Sequence, residues 1–508
     1  MPLMSPNKNY RNAPPRAGAM LEALRGLGYT TAAALADIID NSISAGATEV
    51  WIDFAWNGTS SSVAVLDNGR GMDDAELESA MRLGDRSPLE KREQTDLGRF
   101  GMGLKTASFS QCRRLTVASV KNGTTPCLRW DLDALAAYPD DGWLLFEGPS
   151  PGSEILLAPI SRMKSGTLVL WETLDRIVTN GYVANDFNDL IDRVELHFAM
   201  VFHRLIQGPN ARLKILLNGK RVMPWDPFMT GHAAKTWDSP IARITTESGV
   251  IEVECHVLPH RDKLSPSEFD AGGGPEGWTA QQGIYIYRNE RLLVAGGWLG
   301  LGQGRAWNRE ESYSLARIRL DIPNTADAEW KIDIRKSTAR PPVSMRLWLT
   351  RLAEDTRERA RKVFAYRGSP TPVLGGGSIE QAWRLERSRT GVRYKIDEKH
   401  PVVSAVLDGA GELLPMVKAM LRVVEETVPV QRIWLDTVEN KETPLTSFSG
   451  EPPEKVVAVL NTIYADMIGR RGMSSSNAKK MLAVTEPFQN YPGLVASLPD
   501  DEPAPAGQ

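Results

Sequence analysis

The sequence predicts an α+β protein of about three units, and three observations lead there. Apolar residues at helical spacing are interleaved with short alternating runs of strand character. The length of 508 residues exceeds one ordinary domain. The stretch GSPTPVLGGGS (Gly368–Ser378) has the composition of a linker, the clearest one in the chain.

Residues 1–15 are polar and Pro-rich and read as an N-terminal arm. Helical patterns follow at Met20 to Arg25 and Thr31 to Ser44, then strands at VWIDFAW (Val50–Trp56) and SVAVLDNG (Ser62–Gly69). Asp73 to Met81 reads as a short helix, and Gly84 to Gly103 as a long polar, glycine-rich loop. Strands at Leu115 to Val120, Cys127 to Leu132 and Thr167 to Trp171 complete a first unit over 16–185. The second unit, 186–345, opens with a helix from Asn188 to Gln207. Its strands are LKILLNGKRV (Leu213–Val222), IEVECHVL (Ile251–Leu258), GIYIYRNERLL (Gly283–Leu293) and ARIRLDI (Ala316–Ile322), which makes it α+β. A charged helix (346–366) leads through the linker (367–378) to a mixed, partly helical unit (379–495) and an acidic, Pro/Ala-rich tail (496–508) with the composition of disorder.

Hydrophobic residues make up 42% of the chain, enough for sizeable cores, and the net charge of −3 argues against a protein basic throughout. Cys112, Cys127 and Cys255 lie far apart with no Cys-x-x-Cys pair, which indicates neither a zinc finger nor a disulfide framework; reducing cytoplasm is the expected compartment. No apolar run reaches about 18 residues, so no membrane span is expected. The first residues lack the apolar stretch of a signal peptide.

Four short motifs carry the chemistry. In ALADIIDNSISAGA (Ala34–Ala47), Asp37 and Asn41 stand four apart and share a helix face. A carboxylate there can polarise a water while the amide oxygen ligates Mg²⁺; a solvated polar face is an equal reading of that motif alone. In LDNGRGM (Leu66–Met72), Asp67 at a strand end can accept from the exocyclic amine of adenine, and Gly69 and Gly71 let backbone approach the base. An ordinary Asp-Asn-Gly turn is the alternative. In GRFGMGLKTAS (Gly98–Ser108), Gly98, Gly101 and Gly103 can face phosphate with their N–H groups while Lys105 adds a charge at a helix start. In SGTLVLWE (Ser165–Glu172), Thr167 at a strand start can donate to phosphate.

Together, in this order and spacing, the motifs resemble the GHKL superfamily, which includes gyrase B subunits, MutL, the heat-shock chaperone ATPases, histidine kinases and the MORC proteins. The resemblance implies a GHKL (Bergerat) ATP-binding α/β sandwich with ATP and Mg²⁺ as its ligands. It implies Asp37 as general base, where the superfamily usually has the longer glutamate, Asn41 as the Mg²⁺ ligand and Asp67 as the reader of adenine. Gly69, Gly71 and Met72 would then shape the base pocket, and Gly98, Gly101, Met102, Gly103, Leu104, Lys105 and Thr167 complete the nucleotide contacts. The loop Gly84–Leu97 resembles an ATP lid.

Beyond that domain, ELHFAMVFHRLI, LKILLNGKRVMPWDPF and GIYIYRNERLL resemble the transducer domain of MORC-type and MutL-type proteins. Such domains send a lysine to the γ-phosphate, and in EWKIDIRKSTARPP (Glu329–Pro342) that role falls to Lys336, with Arg335 and Lys331 as alternatives. Histidine kinases lack a transducer. Prokaryotic MORC-like proteins fit best, which implies a slow ATPase that closes as an ATP-dependent homodimer in genome or phage defence. The chain has neither the cysteine-rich finger of eukaryotic MORC proteins nor the Asp-Gln-His-Ala motif of MutL endonucleases. A separately encoded nuclease or helicase effector is therefore an expected partner. The rival functions are a chaperone-like scaffold ATPase acting on protein clients and a non-hydrolysing nucleotide sensor.

From Arg335 to Lys399, sixteen Lys/Arg stand against seven Asp/Glu, a local excess of nine positive charges. Arg351, Arg357 and Arg361 fall on one side of a helix, as tracking of double-stranded DNA phosphates requires. The competing expectation pairs them with Glu354, Asp355 and Glu358 on a solvated face. MIGRRGMSSSNAKKMLAV (Met467–Val484) has something of a helix–turn–helix, with Ser474 as cap, but plain helical packing is the stronger expectation.

Overall fold

A computed structural model describes residues 16–26, 28–84, 103–137, 142–209, 211–326, 329–333, 338–365, 380–388, 391–430, 433 and 454–500. Contacts divide the chain into two compact units, Met1–Ala365 and Tyr366–Gln508.

The first unit begins with α1 (Ala17–Arg25), α2 (Thr31–Ser44), β1 (Glu49–Ala55), β2 (Ser62–Asp67), α3 (Asp74–Met81) and α4 (Gly103–Phe109). There follow β3 (Arg114–Val120), β4 (Cys127–Asp131), α5 (Leu132–Ala137), β5 (Phe146–Glu147), α6 (Glu154–Leu157) and β6 (Gly166–Glu172). Then come α7 (Ala184–Val201), α8 (His203–Ile206), β7 (Lys214–Leu217) and β8 (Lys220–Arg221). The strands make one sheet in the order β5-β4-β3-β6-β2-β1-β7-β8, antiparallel except where β7 runs parallel to β1. Leu35, Ile38 and Ile39 of α2 enter the same core as Val50, Ile52, Val63, Val65 and Trp171 of the sheet. Each such side chain, fully buried, contributes about 1.5–3 kcal/mol. On the opposite face, Leu157 and Ile160 cover Ala118, Val120, Leu168 and Leu170. With both faces covered, β6 is buried almost without interruption, whereas β1 alternates.

The segment LKILLNGKRV differs from its expected place. It is a hairpin, β7–β8, turned at Asn218 and Gly219, and it extends the first sheet rather than joining the other strands of the domain expected over 186–345. Both turn residues have positive φ, as a tight Asn-Gly hairpin requires. The helix expected from Asn188 starts earlier, at Ala184, and breaks at Phe202.

The second sheet comprises β9 (Trp237–Asp238), β10 (Ala242–Thr246), β11 (Gly249–Val257), β12 (Gly283–Arg288), β13 (Arg291–Val294) and β14 (Ala316–Asp321). Its order is β10-β11-β14-β12-β13, with β9 on β11. The short helices α9 (Pro266–Gly273) and α10 (Gly277–Ala280) precede β12, and α11 (Val343–Ala365) lays Met345, Leu349, Ala353 and Ala360 into this sheet's core.

Arg357, expected among cations facing DNA, turns inward. Its guanidinium lies over the rings of Trp298, Trp307 and Tyr313 at 5.0, 4.1 and 4.0 Å. A planar, weakly hydrated cation stacks well on aromatic faces, which is why this arginine leaves the surface. Arg351 and Arg361 stay exposed, and Arg359 pairs with Asp355 one turn before it.

The second unit has a hairpin of β15 (Trp383–Ser388) and β16 (Gly391–Ile396). Its helices include α12 (Pro401–Gly409), α13 (Leu414–Thr427), α14 (Glu454–Gly469), α15 (Ser475–Leu482) and α16 (Pro492–Ala496). Leu460, Ile463, Met467, Ala478, Leu482 and Phe488 form its core, and Leu498 joins them, beyond the expected domain end at 495. Ser474 makes no side-chain cap bond; the buried Ser475 hydroxyl instead donates to the Pro499 carbonyl at 2.9 Å.

Candidate nucleotide site

Asp67 closes β2 and is buried where α2, β2 and β6 meet. The Ser42 hydroxyl of α2 donates to its Oδ2 at 2.8 Å, and the Gly69 N–H donates to Oδ1 at 2.8 Å. The Thr167 N–H is a third donor. Burial pushes the Asp67 pKa above the ordinary carboxylate value, against the pull of these donors. An ionised carboxylate offers about four lone-pair sites, so capacity remains for a further donor such as an exocyclic amine. Ser42 is a site residue that the sequence reading missed; its signal was its place directly after Asn41 in the first motif.

The two glycines after Asp67 serve close approach of protein to protein. Gly71 has φ +69°, and a Cβ there would overlap the Val120 carbonyl of β3. At Gly69 a Cβ would stand 2.9 Å from Ala45 Cβ and 3.0 Å from Asp67 Oδ1. Both therefore let the chain fold tightly around Asp67. The Met72 N–H donates to the Ser119 hydroxyl at 2.8 Å, and Asp73 then caps α3 in a reciprocal box with Glu76.

Thr167 also stands elsewhere than expected. Antiparallel pairing of β6 with β2 puts it directly across from Asp67, and its hydroxyl meets Ser119 Oγ at 2.9 Å. It belongs to the Asp67 end of the site, not to phosphate.

Asp37 and Asn41 sit on α2, with the Asp37 side chain buried and Asn41 exposed. The N-terminus of α2 is fixed by Thr30, whose hydroxyl accepts from the Ala33 N–H. Tyr29 donates to Asp37 Oδ2 at 3.0 Å. Burial and then the Asp37 charge push the Tyr29 pKa well up, with Asp333 adding to the shift, so Tyr29 is a fixed donor at neutral pH. From the second sheet, Arg291 NH2 comes within 3.8 Å of Asp37 Oδ1.

Lys105 differs from its expected phosphate role. It is buried, and its ammonium donates to the carbonyls of Ala80 and Arg82 at 2.8 and 2.9 Å, tying α4 to the C-terminal end of α3. Helix-end carbonyls lack intrahelical partners and carry partial negative charge, so a buried cation is held there. Gly103 and Leu104 open α4. Gly98, Gly101, Met102 and Lys336 lie outside the described residues. The Thr338 N–H donates to Asp333 Oδ1 at 2.8 Å.

A buried carboxylate behind a strand end, a helix presenting a carboxylate and an amide one turn apart, and glycines packed where a side chain would collide form a constellation fit for a nucleotide. Residues 29–167 match the family model for histidine kinase-, DNA gyrase B- and HSP90-like ATPases. This stretch is thus a GHKL-type ATPase domain, set in an α+β chain, and ATP is its ligand class. Comparison with curated proteins finds no match. Among the described residues, no helix is long and apolar enough to cross a membrane.

Proposed function

We propose that the protein binds ATP with Mg²⁺, hydrolyses it slowly, and uses the nucleotide to close a homodimer of MORC-like type that acts on double-stranded DNA or licenses a separate effector. The observation that carries the reading is the Asp67 cradle, a buried carboxylate fixed by Ser42 and Gly69 beside a helix that bears Asp37 and Asn41. Asp67 accepts from the adenine amine. Asp37, oriented by Tyr29, takes a proton from the attacking water.

The amide of Asn41, exposed one turn beyond Asp37, suits a hard cation that prefers oxygen donors. Bound there, Mg²⁺ would neutralise charge on the phosphates. Lys336 senses the γ-phosphate. Support comes from Asp333, three residues before it, whose charge acts on Tyr29. Arg351 and Arg361 on α11 are the cations offered to DNA.

Calorimetric titration of Asp67→Asn tests the cradle. An amide can keep one of the two carboxylate bonds as acceptor but must turn the other oxygen into a donor. Mg·ATP affinity should fall by about 10- to 100-fold, the cost of a mispaired buried group, while circular dichroism keeps the parent fold. Equal affinities would remove Asp67 from the pocket.

A further inference from the structure

The β12–β13 hairpin reaches the back of α2. Its turn, Asn289–Glu290, has positive φ at both residues, and the chain returns with Arg291 opposite Arg288. Arg291 is 4% exposed and Asp40 is 1% exposed. Arg291 Nε donates to both carboxylate oxygens of Asp40, at 3.1 and 3.0 Å. NH1 donates to the Leu292 carbonyl at 2.7 Å, and the guanidinium lies 5.9 Å from the Phe202 ring centre. NH2 stands 3.8 Å from Asp37 Oδ1, within ion-pair range and beyond a hydrogen bond. The neighbouring His197 is pushed down to about 4 by burial and then by Arg291, so it is neutral at neutral pH and adds no charge.

A buried ion pair is weak as a source of stability, because desolvation offsets the attraction. Apolar side chains would join α2 to the hairpin as well. What the pair supplies is direction. Asp37 and Asp40 are three residues apart on α2, so one guanidinium held by Asp40 necessarily sets the place of α2 beside Asp37. The turn is pinned a second time, since Glu290 pairs with Arg212 beside β7. Arg204 of α8 likewise pairs with Asp321 of β14. Displacement of the second sheet therefore cannot leave the Arg291–Asp40 contact unchanged.

We propose that Arg291 is a positioning residue of the ATP site, through which the second sheet sets where α2 holds the Asp37 carboxylate. The proposal rests on the ATPase assignment of Asp37. It also couples the two sheets: nucleotide that orders α2 tightens the hairpin, and displacement of the second sheet alters turnover.

The test uses the full chain with R291K, R291Q, D40N and the double variant R291M/D40L, which removes both charges and keeps the volume. Mg·ATP binding is measured by calorimetry and ADP production under single-turnover conditions. R291Q and D40N should bind ATP within about threefold of the parent and turn over about 10- to 100-fold more slowly, the range for a misplaced reacting group. R291K should recover part of the rate. If a single variant fails to fold, R291M/D40L decides: folded and binding ATP, it should still have lost turnover. Full turnover in that variant, or equal loss of binding and rate, overturns the proposal. If the parent binds ATP without turning it over, hydrogen exchange replaces the rate. Nucleotide should then protect the β12–β13 amides in the parent and not in R291M/D40L, and no protection in the parent overturns the proposal. A parent that binds no ATP overturns the ATPase assignment, and this proposal with it.

Discussion

The two ends of the site along α2 are built from different kinds of parts. Around Asp67 everything comes from one sheet and the helix on it: Ser42 of α2, Gly69 just after β2, and Thr167 and Ser119 of the neighbouring strands. Around Asp37 the parts come from both sheets' segments. Tyr29 precedes α2, Arg291 arrives from the second sheet, and Asp333 acts from beyond β14. The Asp67 end is complete within residues 29–167, whereas the Asp37 end also draws on a second sheet. Binding and turnover should therefore separate under mutation.

Asp37→Asn should break the comparison most sharply. It removes the proposed base and leaves the Asp67 end intact, so Mg·ATP binding should persist while turnover falls by about 10²-fold or more. Paired calorimetry and phosphate release check this. Loss of binding equal to the loss of rate would show that the two ends are not separate.

Gly71→Ala should act on the Asp67 end through the fold. Its positive φ and the collision with the Val120 carbonyl cost about 1–3 kcal/mol, read as a lowered melting temperature with reduced ATP affinity. An unchanged melting temperature would place that turn elsewhere.

A smaller effect follows from the Asp67 pKa. Because burial raises it, the folded protein holds this proton more tightly than the unfolded chain does. That contribution to stability is present below the ordinary carboxylate pKa and is lost as pH rises toward the folded value. Without nucleotide, the melting temperature of Asp67→Asn relative to the parent should rise between acid and neutral pH. A constant difference would mean that Asp67 is solvated.

The smallest effect concerns α11. Replacing Arg351 and Arg361 together by Ala should weaken double-stranded DNA binding similarly across unrelated sequences, and lower the salt slope by about one unit per phosphate contact. Arg357→Ala should lower stability through its aromatic cage and leave that slope unchanged. Anisotropy titrations at two salt concentrations separate the two, and an unchanged slope in the double variant would remove α11 as a DNA contact.

The legibility of the sequence follows the same division. The Asp67 end lies in contiguous motifs at strand and helix ends, where residue type and spacing carry the geometry, and α2 begins and ends where its pattern does. Even there Ser42 and the pairing partner of Thr167 were hidden, because register is a long-range property. Arg291 was hidden more deeply. GIYIYRNERLL reads as one strand, since an Asn-Glu turn lacks the glycine that usually marks a tight hairpin. LKILLNGKRV does contain Asn-Gly, so its hairpin was readable, but nothing local says that β7 would pair with β1. Lys105 and Arg357 show the same limit. Whether a cation meets solvent, a helix end or an aromatic cage depends on neighbours distant in sequence.

On the proposed reading Asp67 accepts a hydrogen bond from the adenine amine, and a calorimetric comparison of Mg·ATP with Mg·GTP tests that bond. Guanine places an oxygen where adenine places that amine, so acceptor would face acceptor in a buried site. ATP should bind, and GTP should bind at least about 100-fold more weakly, in the range that a mispaired buried polar group imposes. Equal affinity for the two nucleotides would contradict it.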